Sequence, residues 1–189
     1  MVKRPSRKNL ADISAAYRST PVYVVIASTL TMAVIGALAV WWAEPFVFPP
    51  IGATLFILFA FPLAQEANPR NVVGGHLVGL VTGIVALVIF GLVEVPPDTT
   101  DLDWTRLGAI LLGLAVAISV LMGLRLLHIP SVATTLVVAM GLLSRPQDWA
   151  FMLLGVLVAT AMAVAINRLT GIPHPFWHDP KAERAMGRD

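Results

Sequence analysis

Apolar residues in this chain gather into blocks whose lengths match a lipid bilayer. No Lys, Arg, Asp or Glu occurs in residues 21–43 or 72–93. At 1.5 Å of rise per residue, about 20 apolar residues cross the hydrocarbon core as a helix, so each block predicts a membrane span. Further apolar blocks cover 51–64, 105–127, 131–143 and 149–167. Those at 51–64 and 131–143 are too short for a full crossing. The order is therefore long, short, long, then an acidic linker at 94–104 with Glu94, Asp98, Asp101 and Asp103, then long, short, long. A basic lead-in (1–20) and a polar tail (168–189) flank two membrane halves, 21–93 and 105–167. Leu10, Ile13 and Tyr17 fall on one face of the lead-in, which reads either as a short interfacial helix or as a frayed tail.

The two short blocks open on the same phrase. Pro50-Ile51-Gly52-Ala53-Thr54 and Pro130-Ser131-Val132-Ala133-Thr134 both read P-x-x-A-T, eighty positions apart. Short, Pro- or Gly-interrupted segments at matching places in two halves point to the binding site of a transporter. If the short helices cross, each half has three spans and the second half is inverted relative to the first. If they re-enter, four spans remain and the halves are parallel. Lys and Arg placement does not separate the two. Only three residues, His128 to Pro130, separate the fourth block from the second short one, too few for a re-entrant return leg, so six crossings are favoured.

Composition agrees with a polytopic membrane protein: 57% of the residues are hydrophobic, 13% are charged, and the mean hydropathy is +0.80. A soluble domain carries about twice that share of charge. No cysteine is present, which excludes disulfides and thiolate metal sites. The net charge of +2 suits cationic ends facing anionic lipid, and no basic-aromatic surface points to nucleic acid. The lead-in lacks the apolar core and cleavage site of a signal peptide. The expected location is the cell membrane, with both termini cytoplasmic.

The chemistry expected of the two short helices is anion binding. A helix start carries unsatisfied N–H groups and partial positive charge. Two such starts facing one cavity would hold a small anion without a buried cation. Gly52 and Ala53 would let a ligand approach the backbone, and Thr54, Ser131, Thr134 and Thr135 would add hydroxyls. The competing reading is tight packing, with each Thr bonded to its own helix. His76 lies within the third span, where an ionisable group marks function by default. It could donate to an anion or carry a proton, or simply bond a neighbouring helix. His128 stands at the break before the second short helix, and Arg70 and Asn71 stand at the mouth of the third span. Gly75, Gly79 and Gly83, at four-residue spacing, form a close-packing face for another helix, within the chain or across a homodimer. No HExxH, nucleophile elbow, Walker loop or carboxylate pair indicates an enzyme, and no cofactor is expected.

The stretch from Pro50-Ile51-Gly52-Ala53-Thr54 through Pro69-Arg70-Asn71-Val72-Val73-Gly74-Gly75-His76-Leu77 resembles the first half of HPP family integral membrane proteins. The segment His128-Ile129-Pro130-Ser131-Val132-Ala133-Thr134-Thr135 resembles the one that names the family, His-Pro-Pro followed by Ala-Gly-Ala-Thr. It departs from that motif at Ile129 and at Ser131-Val132. The branched Val132 in place of glycine would narrow the backbone approach. The resemblance covers about residues 20–167 and implies a small transporter. Plant plastid members are linked to nitrite movement into the chloroplast.

Together these readings predict an all-α integral membrane protein of six hydrophobic segments in two inverted three-segment repeats. It would move a small inorganic anion, nitrite or nitrate first, as a channel or by proton-coupled alternating access. The alternatives are a neutral-solute transporter and a non-transporting membrane scaffold.

Overall fold

A computed structural model describes residues 20–44, 46–97, 101–143 and 145–177. Most of the lead-in, with its expected interfacial helix, and the end of the tail lie outside the described residues. The architecture is all-helical: α1 (Pro21–Trp42), α2 (Pro49–Ala60), α3 (Pro69–Ile89), α4 (Trp104–Gly123), α5 (Pro130–Ala139) and α6 (Pro146–Leu169), with a 3-10 turn at Gln65–Ala67. Every helix except α4 begins at proline, whose fixed φ and missing N–H suit the first helical turn. The start of α4 is capped instead by Asp103, whose carboxylate accepts from Arg106 N at 2.7 Å.

Helices α1, α3, α4 and α6 are long and apolar enough to cross a membrane. Helices α2 and α5 have 12 and 10 residues, or about 18 and 15 Å of length. Both stop earlier than the hydrophobic pattern predicts, for local reasons. Pro62 drives Phe61 out of the helical region, to φ −134°, and α2 ends at Ala60. Gly141 takes φ +78° just past α5, a backbone conformation that glycine alone adopts without strain.

Two groups of contacts mark the two ends of the bundle. At one end Tyr23, at the start of α1, donates to Asn167 near the end of α6 at 2.6 Å. Asn167 donates in turn to the Leu58 carbonyl near the end of α2 at 3.0 Å. Arg70, at the start of α3, reaches the Leu124 carbonyl at the end of α4. At the other end Trp42 of α1 stacks on Phe46, which packs against Phe151 of early α6. Arg145 bridges Glu44 and Asp148 there. Arg106 of early α4 donates to the carbonyls of Met140, Val95 and Pro96, past the ends of α5 and α3. Successive helices therefore run in alternating directions.

The packing partners follow a pattern. Helix α2 lies against α1, α6 and α5, and α5 lies against α4, α3 and α2. Exchanging the first three helices for the last three leaves these principal pairings unchanged. The most extensive pairing is α3 with α5. It is close because Gly75, Gly79 and Gly83 all face α5. A Cβ on Gly79 would strike the Ser131 carbonyl oxygen, and one on Gly83 would come within 2.7 Å of Val138 Cβ. The glycine face is thus filled from within the chain, which removes it as the seat of a homodimer or of a partner protein.

Candidate functional site

The interior of an apolar bundle normally excludes ionisable groups, because lipid and packed hydrocarbon cannot solvate them. Here His76 and His128 are both buried, with 0% and 2% exposure. The glycines of α3 let α5 and the chain before it come near enough to meet His76. The two imidazole rings stand edge to face, 5.0 Å between centroids. A Cβ at Gly75 would lie 3.1 Å from His128 Cβ and from Ser131 Oγ.

A short chain of hydrogen bonds links the rings. Thr134 Oγ1 lies 2.7 Å from His76 Nδ1. His76 Nε2 lies 2.9 Å from Thr54 Oγ1, which is 3.0 Å from His128 Nε2. His128 Nδ1 ends the chain at the Glu66 carbonyl, 2.8 Å away. The Thr54 hydroxyl has one further partner, the Pro50 carbonyl at 2.9 Å. Ser131 turns aside and donates to the His128 carbonyl at 2.6 Å. Helices α2, α3 and α5, the turn after α2 and the break before α5 thereby meet through Thr54, His76, Thr134, Glu66 and His128.

The other residues singled out by the sequence stand elsewhere. Thr135 is buried beside the cluster, where its hydroxyl meets that of Thr82 at 3.4 Å. Gly52 and Ala53 are exposed on the outer side of α2. Gly52 borders a groove between α1 and α2 lined also by Ser28, Met32 and Leu55. The helix period explains this: Gly52 is two residues before Thr54, about 200° around the axis. Arg70 is directed to Leu124 rather than to the histidines. Asn71 is buried and donates to the Gln65 carbonyl at 2.9 Å.

Neither short helix presents a row of free N–H groups at its start. In α2, Pro49 and Pro50 have none, and Ile51 N donates to the Phe48 carbonyl at 3.0 Å. In α5, Pro130 has none, and Ser131 N and Val132 N donate to the His128 and Ile129 carbonyls, each at 3.1 Å. The prolines that interrupt these segments also remove the amides on which a helix-start anion site depends. The polar donors left at the junction are side chains.

Sequence reasoning missed three groups. Gln65 Oε1 and both side-chain polar atoms of Asn68 are buried without a protein partner, on the turn whose Glu66 carbonyl holds His128, next to Asn71 Oδ1, which is unpartnered too and whose residue the sequence did single out. Buried amides of this kind call for water or a polar ligand. Arg106 is buried, with its guanidinium against the carbonyls past α5, and resembles any arginine at a span edge in the sequence. His174 is also buried; it accepts from Asn167 Nδ2 at 2.7 Å and donates to the Ala67 carbonyl at 3.0 Å. The pair Asn167 and His174, seven residues apart, gave no recognisable signal.

Four long apolar helices fit the sequence family found for the chain. A family model for the HPP transmembrane region matches residues 14–175. The chain belongs to the HPP transmembrane family. It is thus a multi-pass membrane protein, and its apolar helices are consistent with a transporter or channel. No curated protein and no solved structure matches it.

Proposed function

We propose that this HPP protein moves a small inorganic anion, nitrite or nitrate first, across the cell membrane. The observation that carries the reading is the polar junction itself. Thr54, His76, His128 and Thr134 are buried together where two short helices meet, near the unpartnered Gln65 Oε1, Asn71 Oδ1 and Asn68 side-chain amide. Buried polar groups in a membrane interior are costly and tend to line solute or ion paths. With the helix-start amides and the ring and hydroxyl hydrogens engaged, the Asn68 side-chain amide is the buried donor left for the anion. The dipole at the start of α5, two residues after His128, adds a favourable field without direct contact.

The architecture supports alternating access. The alternating helix directions and the exchangeable packing partners support two inverted repeats. So does a pair of equivalent contacts: Gly75 packs on Ser131, and eighty positions away Gly155 packs on Ile51. In that arrangement both termini face the cytoplasm with the basic lead-in. The scaffold alternative loses support, since the glycine face that would have received a partner is occupied by α5.

The reading is tested by thermal stability of the purified full-length protein against nitrite, nitrate, chloride, sodium and neutral solutes at constant ionic strength. A ligand that binds only the folded state raises stability by RT ln(1 + [L]/Kd). Selective stabilisation by nitrite or nitrate, followed by uptake into liposomes, is expected. Stabilisation by a neutral solute alone, with no anion flux, would reject the anion.

A further inference from the structure

The hydrogen-bond chain admits one arrangement when both histidines are neutral. A carbonyl only accepts, so His128 Nδ1 carries a hydrogen toward Glu66 O. His128 Nε2 is then bare and must accept from the Thr54 hydroxyl. That hydroxyl can in turn only accept from His76, so His76 Nε2 carries the hydrogen and His76 Nδ1 accepts from Thr134. The two rings are opposite tautomers.

The Pro50 carbonyl admits a second complete arrangement. With a proton added at His128 Nε2, that nitrogen donates to Thr54 Oγ1, and the Thr54 hydroxyl turns to Pro50 O at 2.9 Å. His76 and Glu66 keep their bonds. One hydroxyl rotation absorbs the proton and leaves no buried group unpaired. A proton added at His76 Nδ1 has no such outlet. It would displace the Thr134 hydroxyl hydrogen, and that hydroxyl, unlike Thr54's, makes no bond to the carbonyl four residues back.

We propose that the cluster is a proton-binding site in which His128 holds the proton, Thr54 is the hydroxyl switch and His76 is the neutral positioning ring. The chain ends at the Glu66 carbonyl, an amide oxygen that cannot pass the proton on. The site therefore stores a proton rather than leaking it, as coupled transport requires and an open channel does not. An imidazolium here would have no carboxylate bonded to either ring, since Glu66 meets His128 through its backbone carbonyl. Helices α2 and α5 carry no ionisable residue. Helix α3 offers only Arg70 besides His76, the 3-10 turn offers Glu66, and the break before α5 offers Arg125. A small anion would supply the missing charge, so on the transport reading above the proton and the anion bind together. Each raises the affinity of the other by the same factor.

The test is 15N NMR of the histidine rings in the full-length protein in lipid nanodiscs, titrated in pH, with signals assigned through single His→Gln variants. At high pH, His128 is expected as the Nδ1–H tautomer and His76 as the Nε2–H tautomer. As pH falls, His128 becomes doubly protonated while His76 stays neutral. Thr54→Val lowers the His128 midpoint by about one pH unit or more, a tenfold loss of proton affinity, and Thr54→Ser restores it. Identical tautomers, or a proton on His76 first, would overturn the proposal. Those measurements on the unaltered protein need no variant fold beyond assignment. Nitrite or nitrate is expected to raise the His128 midpoint. If His128 titrates as described but no anion moves its midpoint, the proton site stands and the anion reading falls.

Discussion

Thr54 is the residue on which the centre of the molecule turns. Its hydroxyl meets two imidazole nitrogens and a carbonyl, so removing it strands buried polar atoms on three elements. An unsatisfied buried donor or acceptor costs about 1–3 kcal/mol. Thr54→Val is isosteric, leaves no cavity, and is expected to lower the unfolding free energy by about that amount. Thr54→Ser should stay near the unaltered protein. Denaturant titration in mild detergent distinguishes the two, and equal stability of all three proteins would deny the hydroxyl its role. The sequence reading singled out Thr54, Ser131 and Thr134 from the repeated phrase at the starts of the two short helices, and His76 and His128 as ionisable groups within a span and at a break. It grouped Gly52 and Ala53 with them by adjacency in the chain. The helix separates neighbours by about 100°, so adjacency is a poor guide to a shared face. The repeat itself is uneven at this scale: eighty positions from His128 stands Phe48, and eighty from His76 stands Val156.

At the scale of elements, the six helices and their order were legible, because apolar length and proline breaks are direct physical constraints in a membrane. The ends of the short helices were not, since hydrophobicity continues past the residues that stop them. The end of α5 depends on Gly141, at φ +78°, where a Cβ would collide with the Arg106 guanidinium. Gly141→Ala should therefore strain the backbone and displace Arg106 from the Met140 carbonyl at once. A cost of about 1–3 kcal/mol is expected from the backbone alone. The flank of α5 is equally constrained by α3. Gly79→Ala sets a methyl against the Ser131 carbonyl, where the obstacle is backbone and cannot rotate away. Overpacking of this kind costs about 1–3 kcal/mol. Gly36→Ala is the control, because nothing lies within 4 Å of a Cβ there. Thermal unfolding should rank Gly79→Ala well below Gly36→Ala, and equal melting temperatures would contradict the close approach of α3 and α5.

For the whole molecule, the strap after α6 ties the end of that helix to the 3-10 turn and to the start of α3. Residues 171–177 return along the end where α1 and α3 begin and α2 ends. Asn167 links Tyr23, the Leu58 carbonyl and His174, and His174 continues to the Ala67 carbonyl. Arg168 holds the strap at the His174 carbonyl, 2.6 Å away, and covers the Phe176 ring at 3.8 Å. The Trp177 carbonyl accepts from Arg70 N at the start of α3 at 3.0 Å. His174 lies beyond the membrane-spanning helices, and burial lowers its pKa below 6.5. Its bonds require the neutral ring, since a hydrogen on Nδ1 would face the Asn167 amide donor. The unfolded chain takes up that proton near pH 6.5 and the folded chain only at lower pH. Stability from this residue is therefore full above pH 6.5 and declines as pH falls through and below that value. His174→Gln retains a donor for the Ala67 carbonyl but does not titrate. The variant should melt below the unaltered protein at neutral pH, and the difference should narrow on acidification. A melting difference that stays constant from neutral to acidic pH would show that His174 does not fasten the strap by its neutral ring.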